Sequence, residues 1–335
     1  MRHLQPTLHP VLAVAVSLLS FCGCRSHTDT SPSANKSDKL EVVTTIFPLA
    51  DWVRNVGGDR VHVTTLLPAG RSPHTFDPTP AEIRTVAHSQ LFFKVGLKMD
   101  DWGSRLASAG TTKLKVVSLG NLLADTKQLP DLTTATEAAQ QIAADEAHHD
   151  HDHEGVNPHY WLDIQLAKLS VEQIRNDLSA ADPQGAATYA RNAQAYLDQL
   201  TALDTSCTQQ LSPCANQPFV SFHDAYPYLA QRYGLHIAGV IEEYPGKTPS
   251  EKYIKTLSDK LREMNIKTVF AEPQLNPQIA DILAREVGAT VDILDPYGSE
   301  SSDDRNTYLR LIQYNVTHLA KALCAGTTAT TSQPR

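Results

Sequence analysis

Short apolar runs alternate with segments of helical periodicity along most of the chain. The first half contains the runs KLEVVTTIF, VHVTTLL, LFFKVGL and LKVVSLG. The second half contains PFVSFH, IAGVIEE, TVFAEP and TVDILDP. Several of these runs are continuously apolar, which is typical of strands buried on both faces of a parallel sheet. The pattern predicts an α/β protein with two lobes, each built on a largely parallel sheet.

Helical segments lie between these runs, and one of them is unusually long. The stretch TPAE at residues 79–82 has the residues of a capping box with proline in the first turn. A second helix begins at Asp182, and apolar residues recur at helical spacing to about Leu211. Roughly 28 helical residues span about 40 Å, enough to brace both lobes. The predicted boundaries are 39–181 for the N-terminal lobe, 182–211 for the connecting helix, 212–326 for the C-terminal lobe and 327–335 for a disordered tail.

The N-terminal segment is expected to lie outside the fold. VLAVAVSLLSF is apolar but too short to span a bilayer as a mature helix, and Gly23 and Cys24 follow it closely. We predict a signal peptide over residues 1–23 and lipidation at Cys24, with simple cleavage to a soluble product as the alternative. Residues 24–38 are small and polar and would form a tether. The protein would be exported, periplasmic or at the cell surface, and attached to the membrane through its lipid alone.

The remaining cysteines leave the disulfide pairing open. If Cys24 is acylated and Cys22 is removed, the chain retains Cys207, Cys214 and Cys324. Export to an oxidising compartment favours a disulfide. Cys207 and Cys214 close a short loop and are the simplest pair, whereas Cys324 could pair with either of them.

The charge balance excludes a nucleic-acid surface of the usual basic kind. The 335 residues include 29 Lys and Arg against 37 Asp and Glu, with a net charge of -8. The hydrophobic share of 41% is ordinary for a globular protein. An acidic balance is consistent with a cationic ligand.

Four potential metal ligands follow predicted strands. His74 lies in RSPHTFDPTP, His159 in VNPHYWLDI, His223 at the end of PFVSFH and Asp295 at the end of TVDILDP. Ligands of open parallel sheets bind outside the carboxyl ends of the strands, so these residues can meet across a cleft between the lobes. Three imidazoles and a carboxylate suit tetrahedral Zn²⁺, although imidazole also binds copper, iron and nickel. Asp295 could instead initiate a turn.

Five motifs, taken in order, resemble those of one protein family. They are SPHTFDPTPAE, NPHYWLD, SFHDAYPYLAQRYGL, VFAEPQ and ILDPYG, spread over roughly residues 39–324. The chain resembles the metal-binding solute-binding proteins of ABC importers, in cluster A-I or the TroA-like group, and especially its zinc-uptake branch. The resemblance implies two α/β lobes joined by one long backbone helix, with the metal bound in the cleft between them.

The resemblance also assigns site residues. It implies His74 and His159 as ligands from the N-terminal lobe, and His223 and Asp295 as ligands from the C-terminal lobe. Manganese-type relatives usually place glutamate at the position of His223, so histidine there resembles the zinc pattern and agrees with ligand softness. Glu272, in FAEPQ, is placed beside the site, either supporting a ligand histidine or capping a turn.

A histidine-rich stretch, EAHHDHDHEG, occupies residues 146–155. Its histidines are His148, His149, His151 and His153. They alternate with acidic residues and have no apolar anchor, and such tracts bind metal weakly. In the zinc branch a loop of this kind sits beside the cleft, so we predict that it gathers Zn²⁺ or senses its abundance. The alternative is a solvated acidic loop with incidental affinity.

Together these features predict a monomeric, non-enzymatic protein that captures Zn²⁺ and delivers it to an ABC permease driven by a cytoplasmic ATPase. Two alternatives remain at this stage. The same fold could bind Mn²⁺ or Fe²⁺. A secreted zinc hydrolase would need an open coordination position and a general base, and the motif HExxH does not occur.

Overall fold

The computed structural model describes residues 39–108, 113–132, 156–242 and 245–324. The signal peptide, Cys24, the tether, the histidine-rich loop and the C-terminal tail of the predictions lie outside the described residues. Their assignments stay predictions, including those for His148, His149, His151 and His153. Within the described ranges, none of the helices combines the length and the apolar character that a membrane span requires.

Every apolar run quoted above contains a strand, and the strands form two sheets. Their bounds are β1 Leu40–Thr44, β2 Val61–Thr65, β3 Leu91–Lys94, β4 Lys115–Ser118, β5 Pro218–Ser221, β6 His236–Val240, β7 Thr268–Ala271 and β8 Thr290–Ile293. The sheet orders are β2-β1-β3-β4 and β6-β5-β7-β8. All the strand pairs are parallel. The prediction of two α/β lobes with parallel sheets is therefore confirmed.

Helices connect the strands and link the two sheets. Their bounds are α1 Phe47–Gly57, α2 Pro80–Ala87, α3 Asp101–Ser108, α4 Leu119–Asp125, α5 Ile164–Ala181, α6 Ala186–Leu211, α7 Pro227–Tyr233, α8 Glu251–Glu263, α9 Gln278–Val287 and α10 Tyr308–Leu323. Thr79 forms the predicted capping box at the start of α2. The predicted connecting helix is present as a 3₁₀ turn, Pro183–Gly185, that continues into α6. Asp182 begins it by accepting a hydrogen bond from the Gly185 amide.

One apolar core extends through both lobes. It includes Trp52 of α1, Tyr196 of α6, Phe219 of β5 and Tyr308 of α10. Asp51 ties the same elements together, because its carboxylate accepts hydrogen bonds from the Tyr196 hydroxyl at 3.0 Å and the Tyr308 amide at 3.1 Å. A wide separation of the lobes would expose this apolar surface to water, which is unfavourable in proportion to the area exposed.

The disulfide differs from the simplest sequence prediction. Cys214 pairs with Cys324 across a Cα–Cα distance of 5.0 Å, and Cys207 is a buried free thiol. The pairing of Cys207 with Cys214 is therefore wrong. Cys207 faces the core from α6, whereas Cys214 lies in the turn after α6, where it meets Cys324 at the end of α10. Burial raises the pKa of the Cys207 thiol to about 12, which keeps it protonated.

Candidate metal centre

Three histidines, distant in sequence, bring one ring nitrogen each to a common point. His74, His159 and His223 offer ligand atoms that all lie within 4.8 Å of one another. Nε2 of His159 is 3.3 Å from Nε2 of His74 and 3.2 Å from Nε2 of His223. In a tetrahedral zinc site with Zn–N bonds of about 2.0–2.1 Å, ligand nitrogens lie about 3.3–3.4 Å apart. The two measured separations match the edge of such a tetrahedron.

His74 is positioned by the loop that follows β2. It lies in a 3₁₀ turn, Pro73–Thr75, whose preceding Ser72 accepts a hydrogen bond from the His74 amide. The indole of Trp102 donates to the Pro73 carbonyl at 3.2 Å, which anchors this turn to α3. His74 is partly exposed, whereas the other two histidines are buried, so the site faces solvent on the side of His74.

His159 is oriented by Asn157, a residue that the sequence analysis did not identify. Asn157 Oδ1 lies 3.0 Å from both the His159 amide and Nδ1. The Asn157 amide nitrogen donates to the carbonyl and the carboxylate of Asp224, so its oxygen must face His159. The Tyr228 hydroxyl fixes the Asn157 carbonyl at 2.8 Å. His159 therefore carries its proton on Nδ1 and presents a lone pair on Nε2.

His223 is oriented in the same way by Glu272. The two residues follow β5 and β7, which are neighbours in the second sheet. Nδ1 of His223 lies 2.7 Å from Oε2 of Glu272, and the His223 amide donates to Oε1 at 3.2 Å. Both residues are buried. A carboxylate bound to Nδ1 leaves Nε2 free for a metal and increases its basicity. The contact is the one that the supporting role of Glu272 requires, and that role stays a prediction.

The electrostatics of the three rings favour a cation between them. With Nδ1 of His159 and His223 bound to oxygen acceptors, their Nε2 lone pairs face each other, which is repulsive without an intervening positive charge. Burial, reinforced by the neighbouring His223, lowers the pKa of His74 to about 3. Burial also lowers the pKa of His159 well below its ordinary value. Both rings are therefore neutral ligands at physiological pH, and the donor set fits a divalent transition metal.

These pKa shifts predict weak proton competition at the site. Near pH 5.5, three ordinary histidines would be mostly protonated and would release close to three protons per zinc. Because a lowered pKa keeps His74 and His159 neutral below pH 6.5, we expect release of no more than about one proton. Calorimetric titration with zinc in buffers of different ionisation enthalpy measures this number. Release near three protons would contradict the prediction.

Asp295 lies outside the histidine group formed by the described residues. Its Oδ1 accepts hydrogen bonds from the Gln274 side chain at 2.9 Å and from the amides of Tyr297 and Gly298 at 3.0 Å. Its Oδ2 lies 3.5 Å from a guanidinium nitrogen of Arg305. As placed, the carboxylate is paired with an arginine, and its predicted role as a fourth ligand stays a prediction.

A cavity of about 270 Å³ opens beside Asp295. Gln274, Tyr297 and Gly298, which bind the Asp295 carboxylate, line one side of it. Pro68 and Arg71, from the loop between β2 and His74, line the other. The cavity therefore lies between the loops that carry His74 and Asp295.

A family model described as zinc-uptake complex component A, periplasmic, matches residues 42–322. The chain is similar to the high-affinity zinc uptake system protein ZnuA of Brucella abortus, at 28% identity over 333 residues, covering 91% of this chain and 96% of that protein. It is also similar to the zinc-binding lipoprotein AdcA of Streptococcus pneumoniae, at 28% identity over 309 residues, with 90% of this chain covered. It spans only 59% of that longer protein. Among solved structures, a zinc-bound deletion mutant of ZnuA superposes with a TM-score of 0.71 at 25% identity, covering 89% of this chain and 100% of that one.

Proposed function

We propose a zinc-supply function for this chain, which belongs to the family of periplasmic zinc-uptake component A proteins. It binds Zn²⁺ outside the cytoplasm and supplies the ion to an uptake complex. The observation that carries the proposal is the convergence of His74, His159 and His223, in which the Nε2 atoms of His74 and His223 each lie at the spacing of a zinc tetrahedron from that of His159. Zinc is the cargo here, so the site must both hold the ion and let it go.

The three histidines would form the permanent part of the zinc shell. Asn157 and Glu272 hold two of these rings in the tautomer that presents Nε2. Asp295 would complete the shell when its carboxylate turns away from Arg305. The buried core shared by the lobes favours release through a small shift of a ligand loop rather than wide opening of the cleft.

A binding role fits the carboxylates of the site better than hydrolysis. A zinc hydrolase needs a carboxylate free to act as a general base on a metal-bound water. Glu272 is 2.7 Å from Nδ1 of His223, and Asp295 is paired with Arg305. Since both carboxylates are already engaged, we propose that the protein is not an enzyme.

The partner that fits this function is an ABC permease with its cytoplasmic ATPase. The relatives named above include an uptake system protein and a lipoprotein, which supports a location outside the cytoplasm. A lipid on Cys24, a monomeric state and zinc gathering by residues 146–155 are further parts of the proposal.

Metal content and selectivity test the proposed function. The protein, purified without added metal, is analysed for bound metals and then titrated with Zn²⁺ and Mn²⁺ against a competing chelator. We expect one tight zinc site and a strong preference for zinc over manganese. His223→Glu should narrow that preference, because a carboxylate suits manganese better than imidazole does. Manganese or iron as the resident metal, or an unchanged preference in the variant, would contradict the proposal.

A further inference from the structure

Among the described residues, the hydrogen-bond donors at the Asp295 carboxylate contact Oδ1, whereas Arg305 faces Oδ2. Oδ1 of Asp295 accepts from the Gln274 side chain and from the amides of Tyr297 and Gly298. Oδ2 lies 3.5 Å from Nη1 of Arg305. Asp295 itself is buried. A metal ion that takes Oδ2 as a ligand therefore brings its positive charge close to that of the guanidinium group.

Arg305 is held by several contacts other than the one to Asp295. Its Nε lies 3.0 Å from Asp304, and its guanidinium lies 4.6 Å from the centre of the Tyr314 ring. Its side chain is 19% exposed, so solvent screens its charge less than that of a surface arginine. These contacts give the guanidinium partners that remain when Asp295 turns away.

The backbone brings Arg305 to this position through a loop that starts beside Asp295. The Arg305 carbonyl accepts a hydrogen bond from the Ser299 amide at 3.3 Å, and the Arg305 amide donates to the Ser302 hydroxyl at 3.2 Å. Gly298 has a φ of +66°, and a Cβ there would lie 2.9 Å from the Arg305 carbonyl. The loop therefore closes tightly, and the distance between Arg305 and Asp295 is set by the fold.

We propose that Arg305 is a positioning residue that competes with zinc for Asp295 and thereby sets how readily the site releases its ion. This inference rests on the proposed function. In one arrangement Asp295 pairs with Arg305, and the ion has three histidine ligands. In the other, Asp295 joins the ion, and Arg305 keeps its contacts to Ser302, Asp304 and Tyr314. Zinc affinity is lower because the ion pair between Arg305 and Asp295 must break when the ion binds. Zinc release is faster because Arg305 pairs with Asp295 again as the ion leaves.

The test compares zinc affinity and release rate in a double-mutant cycle of Arg305→Gln and Asp295→Asn. Competition with a chelator gives Kd, and rapid mixing with excess chelator gives the release rate. We expect Arg305→Gln to bind zinc about tenfold more tightly and to release it about tenfold more slowly. The loss of an ion pair somewhat stronger than a typical surface pair would cause a change of this size. Arg305→Lys, which keeps the charge, should stay close to the wild type. In the Asp295→Asn background, Arg305→Gln should have no further effect.

Two controls separate this role from general electrostatics and from folding. Arg310→Gln removes an exposed positive charge of α10 that does not contact Asp295 and should leave Kd within twofold. Asp304→Asn removes a second negative charge that Arg305 contacts, so the guanidinium should hold Asp295 more strongly and zinc binding should weaken. Asp303→Asn, at an exposed neighbour, should have no such effect. This pair tests the idea even if Arg305→Gln does not fold, which thermal melting reports.

The possible failures are distinguishable. If the wild type has no tight zinc site, the proposed function fails. If the wild type binds zinc tightly but Arg305→Gln leaves Kd and the release rate unchanged, the role of Arg305 is refuted and the proposed function stands. The same holds if Arg305→Gln tightens zinc binding as much in the Asp295→Asn background as in the wild type.

Discussion

Replacing His159 with alanine is expected to reduce zinc affinity by more than about a hundredfold. His159 is the central member of the group, because its Nε2 lies 3.3 Å from that of His74 and 3.2 Å from that of His223. Changes to residues that only orient a ligand typically cost about 10–100-fold in affinity, so loss of a ligand should cost more. Titration against a chelator of known zinc affinity measures the change.

The matched control for this variant is His62→Ala. His62 is a surface histidine with 62% of its side chain exposed and paired with Glu41, so its loss should leave zinc affinity unchanged. Thermal melting of the metal-free proteins checks that His159→Ala still folds. Zinc affinity within fivefold of the wild type in a folded His159→Ala protein would remove the basis for the proposed centre.

Replacing Cys324 with serine is expected to lower the free energy of unfolding by about 4–5 kcal/mol. The disulfide joins residues separated by 110 positions. In the chain-entropy model, closing a loop of about 100 residues removes about 4.7 kcal/mol of conformational freedom from the unfolded state. Urea unfolding of the oxidised wild type and of the variant, each extrapolated to water with its own m-value, measures the difference.

Cys207→Ala is the control that distinguishes the Cys214–Cys324 pairing from the two pairings that involve Cys207. Cys207 is buried and outside the disulfide, so this variant should keep the Cys214–Cys324 link in non-reducing peptide mapping. Its cost should be limited to that of a small cavity, about 1 kcal/mol. A Cys207–Cys214 peptide in the wild type, or equal destabilisation by both variants, would contradict the structure.

Contacts within the fold orient two of the three proposed ligand rings. Asn157 and Glu272 select the tautomers of His159 and His223, and burial keeps His74 and His159 neutral. Little ordering or deprotonation is then needed when zinc binds, which favours high affinity. A transport protein must also release its cargo, and the contact between Asp295 and Arg305 offers a way to limit that affinity.

Local sequence patterns were sufficient to predict the secondary structure and the sheets. The apolar runs, the capping residues around Thr79 and the long periodic segment after Asp182 each depend on neighbours in the chain. These features require only backbone geometry and the burial of one face. His74 and His223 lie just after predicted strands, and the motif around His159 came from the family resemblance. Together they selected the three residues that the fold brings together.

The sequence by itself determined the strands, the helices and the type of metal ligand, because these follow from spacing along the chain. Only the tertiary structure decided that Cys214 meets Cys324, that Asn157 orients His159 and that Arg305 pairs with Asp295. Each of these contacts depends on how separate loops pack, and no local periodicity encodes the distance between two side chains on different loops.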